Sequence, residues 1–221
     1  MIPPSRPGAV AIVPMKGFDR AKGRLMTACT PAQRRMLVTE MYRHVSSVVS
    51  ALPWVRRVVV ATDSEEVGQW IGRSGIGAAA MDVVYDRRPG RLGQVLADAL
   101  VHLDVGPASP LLVCMADLPL LHAADLDRMW ALLLGAEMVI APDAELAGTN
   151  ALLLAGCLPG ALRFGSGDSF ADHLAEAERR RWRVATVVSP GTALDLDRPD
   201  DLARLERPTG EPDPVASNTS S

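Results

Sequence analysis

Residues 111–119 read Leu-Leu-Val-Cys-Met-Ala-Asp-Leu-Pro. The run Leu111–Met115 is apolar without alternation, so it has the form of a strand whose two faces are both covered by other elements. Pro119 has no amide to donate and ends the ladder. Asp117 therefore falls just beyond a strand end, where open α/β sheets collect their ligands. Val58-Val59-Val60 repeats the pattern. Working outward, strand-length apolar runs occur at Ala9–Pro14, Val55–Thr62, Met81–Tyr85, Met138–Ala141, Ala151–Leu154 and Arg183–Val188. Between them lie stretches with helical spacing: Pro31–Leu52, Ser64–Arg73, Leu92–Leu103, Ala123–Leu134 and Phe170–Arg180. That alternation predicts a three-layer α/β fold around a mostly parallel sheet.

The 221 residues, 48% hydrophobic and 22% charged, suit a single core. We expect one domain over residues 9–207, with disordered ends at 1–8 and 208–221, where Pro, Ser, Thr and Asn are dense. A formal charge of -3 argues against nucleic acid and against an anionic membrane surface as partners, so any phosphate chemistry rests on local cations. No apolar run approaches a bilayer span, and the proline-bearing start MIPPSRPG is unlike a secretory signal, which points to the cytoplasm. Cys29, Cys114 and Cys157 are scattered and odd in number, and read as reduced, buried thiols.

Four stretches carry residues suited to chemistry. Pro14–Leu25, PMKGFDRAKGRL, places Lys16, Arg20, Lys22 and Arg24 with two glycines beyond the first strand, a composition suited to cradling a triphosphate. It is not a Walker A loop, and a solvated basic loop is the plain alternative. Asp117 is a candidate magnesium ligand, since that ion takes one or two carboxylates together with phosphate oxygens and water; a turn aspartate is the alternative. In Ala193–Leu202, ALDLDRPDDL, we expect Asp195 and Asp197 to diverge, with Asp195 joining Asp117 and Asp197 left to cap a short helix from near Pro199. Gly148-Thr149-Asn150 and the turn Arg163–Asp172 resemble an anion pocket at a helix start, although Ser169 and Asp172 also have the spacing of a capping box. His173 reads as a structural hydrogen-bonding residue; His44, His102 and His122 have no partners at catalytic spacing. No G-x-S-x-G elbow or Cys/His pair suggests a covalent nucleophile.

In this order, V-P-M-K-G-F-D-R-A-K-G-R-L, M-A-D-L-P-L-L, G-T-N-A-L-L-L, F-G-x-x-x-S-F-A-D-H-L and L-D-L-D-R-P-D-D-L resemble the 2-phospho-L-lactate or phosphoenolpyruvate guanylyltransferase family of coenzyme F-420 biosynthesis, over about Val10–Leu205. The resemblance implies a GT-A-like, Rossmann-related nucleotidyltransferase fold and transfer of GMP from GTP to a three-carbon phosphoacid with release of pyrophosphate. Phosphoenolpyruvate is favoured over 3-phospho-D-glycerate and 2-phospho-L-lactate. It also implies that Mg2+ is held by Asp117 and Asp195, that GTP faces Lys16, Lys22 and Arg24, and that the phosphoacid contacts Thr149, Gly165 and Ser169. A homodimer is a further implication. The family has two residues between the glycine and serine of the acid-binding turn and this chain has three, so Ser166 competes with Gly165 for that place. A sugar-phosphate or molybdenum-cofactor nucleotidyltransferase is the first rival, weakened because L-x-G-G-x-x-x-R is absent. A noncatalytic nucleotide-binding module is the second.

Overall fold

The structure, a computed structural model, describes residues 7–76, 81–86, 92–102 and 105–205, and of Arg204 and His102 the backbone only. The termini expected to be disordered lie outside the described residues, apart from Pro7 and Gly8. The chain forms β1 (Ala9–Met15), α1 (Pro31–Ser50), β2 (Val55–Thr62), α2 (Glu65–Ser74), β3 (Met81–Tyr85), α3 (Leu92–His102), β4 (Leu111–Cys114), α4 (Ala123–Leu132), β5 (Met138–Pro142), β6 (Thr149–Leu154), α5 (Ser169–Arg180), β7 (Val184–Thr186), α6 (Pro190–Ala193) and α7 (Pro199–Leu205). Short 3-10 turns at Gly23–Thr27 and Pro159–Ala161 have no counterpart in the apolar pattern.

One seven-stranded sheet runs β3-β2-β1-β4-β6-β5-β7. Its strands are buried on both faces because alternate residues enter different cores. Ala11, Val13, Val60, Leu112 and Leu153 pack with Val45 of α1, Val67 of α2 and Met129 of α4. Ile12, Val59, Val113 and Leu152 pack with Leu96 of α3 and Ala177 of α5. Two covering layers explain why the runs do not alternate. The edges are β3 and β7, short and only partly buried, which limits the unpaired backbone they present.

Two features place the site. The chain lays down β1, β2 and β3 toward one edge, then crosses β1 to place β4 on its other side, so the loops after β1 and β4 open a crevice at a topological switch point. The sheet is mostly parallel, yet β6 is antiparallel to β4 and β5. Its amino end, Thr149, therefore shares a rim with the carboxyl ends of β1 and β4. Among the described residues no helix is long and apolar enough to cross a membrane.

Candidate active site

The basic loop after β1 is anchored rather than solvated. The buried Tyr42 hydroxyl of α1 accepts from the Lys16 amide at 3.0 Å and donates to the Lys16 carbonyl at 3.0 Å. The Gly17 amide donates to Asp63 Oδ1 at 3.1 Å, and the Arg20 guanidinium pairs with the same carboxylate at 2.9 Å. Phe18 is buried against the rings of Tyr42 and Trp70. These contacts fix the backbone while leaving the Lys16 side of the loop exposed.

Lys22 does not point outward. Its backbone is left-handed, φ 57°, an uncommon conformation for a residue with a Cβ, and its side chain is only 8% exposed. The ammonium bridges Asp117 Oδ2 and Asp197 Oδ1. Burial opposes its charge, but the two carboxylates outweigh that and raise its pKa. Arg24, largely exposed, lies 3.6 Å from Asp197 Oδ2. Burial works against ionisation of Asp197 too, yet Lys22, Arg24 and Lys16 together hold its carboxyl below the usual value.

Asp117, Asp195 and Asp197 each bring one carboxylate oxygen into a group spanning no more than 4.8 Å. The Leu196 amide donates to the Asp117 carbonyl at 3.1 Å and binds the two segments together. This corrects the expectation that Asp195 and Asp197 diverge: residues two apart on an extended segment share a face. Asp197 does not cap α7 either. Asp201, at the third helical position, accepts from the Asp197 and Arg198 amides at 2.9 and 2.7 Å, the return half of a capping box.

Burial first, and then the neighbouring Asp117 and Asp197, push Asp195 up to about 6. Asp117 Oδ1 is buried without a hydrogen-bond partner. A buried acceptor left orphaned beside crowded carboxylates fits a hard divalent cation, whose oxygen-ligand chemistry these residues match.

On the same rim, Thr149 Oγ1 and His173 Nδ1 lie 3.1 Å apart, and the Arg163 amide donates to His173 Nε2 at 3.0 Å. His173 is fully buried, edge-on to Phe164. Asn150 donates through Nδ2 to the Thr192 carbonyl at 2.9 Å, which ties β6 to the segment leading to Asp195. Gly165 has φ 98°, a region L side chains avoid, and sits on an exposed turn. The Ser169/Asp172 capping box does not form. Ser169 is already the first helical residue and Asp168 makes no side-chain cap bond, while Asp172 accepts from Ser166 Oγ at 2.5 Å.

The structure thus gathers Lys22, Arg24, Asp117 and Asp195 in one cluster, with Lys16 close enough to act on Asp197. Thr149 and Ser169 lie around His173. Tyr42 and Asp63 have no role in the sequence pattern, and Asp197 is expected there as a cap rather than as a member of the cluster. The two-residue spacing from Asp195 marks Asp197; the other two leave no signal beyond a buried helix face and a strand end. Cys29 is half-buried, unlike the buried Cys114 and Cys157.

Residues 9–206 match the family model described as guanylyl transferase CofC like. The chain is 37% identical over 204 residues to a phosphoenolpyruvate guanylyltransferase of Rubrobacter xylanophilus, covering 90% of this chain and 94% of that one. It is 30% identical to a 3-phospho-D-glycerate guanylyltransferase of Phenylobacterium zucineum, over 90% of each. A solved structure of a putative nucleotide-diphospho-sugar transferase from Desulfovibrio desulfuricans superposes with a TM-score of 0.72 at 14% identity, covering 96% of this chain and 89% of that one, a likeness of fold.

Proposed function

The chain belongs to the CofC-like guanylyl transferase family, and on that premise we propose that it transfers GMP from GTP to phosphoenolpyruvate, with 3-phospho-D-glycerate and 2-phospho-L-lactate as the competing acceptors. The observation that carries this reading is the Asp117–Asp195–Asp197 cluster set against Lys22, at the switch point of the sheet. Such a site balances charge rather than generating a nucleophile. A phosphate monoester is anionic at neutral pH and needs no base. Its oxygen attacks the α-phosphorus of GTP in line; the new P–O bond forms as the bond to the β-phosphate oxygen breaks, and pyrophosphate leaves with the electron pair.

Repulsion between two polyanions and their alignment dominate the barrier. Lys16 and Arg24, both exposed, and Lys22 face the triphosphate and neutralise the leaving group. Asp117 and Asp195 would hold Mg2+, with Asp197 beside them, and the bound ion would supply Lewis-acid neutralisation of the phosphates. Thr149, Ser169 and the turn at Gly165 receive the phosphoacid at the start of α5, whose amides and dipole favour an anion. The left-handed φ of Gly165 supports giving it, rather than Ser166, the glycine's place in that turn. Ser166 is engaged with Asp172.

Pyrophosphate release from GTP, measured with magnesium and each acid in turn, tests the reading. Release that depends on one of the three acids, fastest with phosphoenolpyruvate, is the expected result. Equal release from CTP with a sugar phosphate would overturn it.

A further inference from the structure

We propose that His173, in its neutral Nδ1–H form, is the positioning residue of the acid pocket: it turns the Thr149 hydroxyl hydrogen toward the bound phosphoacid and ties Thr149 to the Gly165 turn. The inference rests on the acid-binding roles just proposed. The tautomer follows from hydrogen bonds. The Arg163 amide can only donate, so Nε2, 3.0 Å away, accepts and carries no proton. A neutral ring then has its proton on Nδ1, which faces Thr149 Oγ1 at 3.1 Å, while the Ser169 backbone lies near enough to the ring to favour its protonated form. Thr149 Oγ1 cannot donate to a protonated nitrogen, and among the described residues its own hydrogen has no other acceptor.

Three pieces of the pocket meet on this ring. Thr149 heads β6, Arg163 lies two residues before Gly165, and Ser169 begins the helix that carries His173. Phe164 packs edge-on at 4.7 Å between ring centroids and holds the imidazole plane. Burial, the leading cause, pushes the ring's pKa down to about 4, so it stays neutral through the physiological range. A solely structural histidine would need partners but not these three.

Two measurements on the full chain test the proposal. In nitrogen-15 NMR of the protein, with His173→Phe assigning the signal, His173 should show a protonated Nδ1 and a bare Nε2; the opposite tautomer overturns the proposal. In kinetics, His173→Phe and Thr149→Val should each raise KM for the phosphoacid about 10-fold or more, the size of one lost hydrogen bond to an anion, with KM for GTP within about twofold. The double variant should be little worse than either single one, since both remove the same hydroxyl orientation. His173→Asn, which keeps a donor near the Nδ1 position, should recover part of the loss. A rise in both KM values, or additive losses, overturns the proposal. Should His173→Phe not fold, His173→Asn assigns the signal instead, and Thr149→Val with the tautomer measurement decides it. Failure of the wild-type chain to use any of the three acids would count against the function proposed above, not against the tautomer.

Discussion

The two halves of the rim are held by opposite means. On the β1–β4 side, formal charges confront one another: the Lys22 ammonium sits between Asp117 and Asp197, and Asp195 is pushed up to about 6 by burial and its acidic neighbours. On the β6–α5 side a neutral imidazole and a hydroxyl share one hydrogen bond, and the buried Glu176 carboxylate nearby is paired with the Arg163 guanidinium at 2.8 Å. The difference matches what each half is proposed to bind. A triphosphate and a metal bring charge that must be balanced, whereas a small acid must be oriented. The carboxylate–ammonium cluster of the first half should therefore fail in turnover when broken, and the second half in affinity.

The largest effect is expected from Asp117→Asn. It removes one charge from the carboxylate cluster at nearly constant volume, and turnover should fall about 10³-fold in the pyrophosphate assay while the circular-dichroism spectrum is retained. Lys22→Met comes next. Turnover should fall about 10²-fold, and urea denaturation should show a loss of about 1–2 kcal/mol. The loss falls between the range for buried pairs, about 3–5 kcal/mol, and that for exposed ones, about 0–1 kcal/mol, because the Asp197 side chain is 43% exposed. Without the ammonium, magnesium alone should raise the melting temperature of this variant more than that of the wild type, since the carboxylates have lost their internal cation.

The neutral half has its own pH signature. The folded value of His173, about 4, lies below the ordinary 6.5, so the unfolded chain takes up the proton first. Its contribution is complete above about pH 6.5 and is lost as pH falls toward about 4, at most about 3 kcal/mol. Arg163 faces the ring from the preceding turn and opposes protonation, while Asp172 and Glu176 on its own helix favour it. Chemical denaturation across this window should lose the His173 share of its slope in His173→Phe, leaving the opposite slope of Asp195, whose value of about 6 favours the folded state as pH falls. The smallest effect is expected of Tyr42→Phe, which strips both hydrogen bonds from the Lys16 peptide. Stability should drop by about 1–2 kcal/mol, with KM for GTP raised a few-fold and KM for the acid unchanged.

Sequence conveyed the charged half better than the neutral one, for a physical reason. Carboxylates and cations just past strand ends are costly to place anywhere but at a site or in solvent, so residue type and position already mark Lys22 and Asp117. Strands such as Leu111–Cys114 were legible because two buried faces leave an unbroken apolar run. The direction of β6 was not, since hydropathy is the same read either way. That reversal explains why Thr149 opens its strand while Asp117 follows its own. Asp197 joins the cluster because residues two apart in an extended segment share a face, so its spacing from Asp195 already points there. Tyr42 lay beyond reach because its hydroxyl acts on a peptide 26 positions away, and nothing local distinguishes it from the buried helix face of Val38 and Val45. Ser169 and Asp172 had the letters of a capping box, but Ser166, which competes for the same carboxylate, is apparent only once the turn is folded.

The central claim is that one site joins the acid's phosphate oxygen to the α-phosphorus of GTP. The most direct test uses phosphoenolpyruvate with oxygen-18 in its phosphate group, and mass spectrometry of the products after reaction with GTP and magnesium. The expected products are a guanylylated acid that keeps all of the label and pyrophosphate that carries none. Label in the pyrophosphate, or GMP formed without a guanylylated acid, would contradict it.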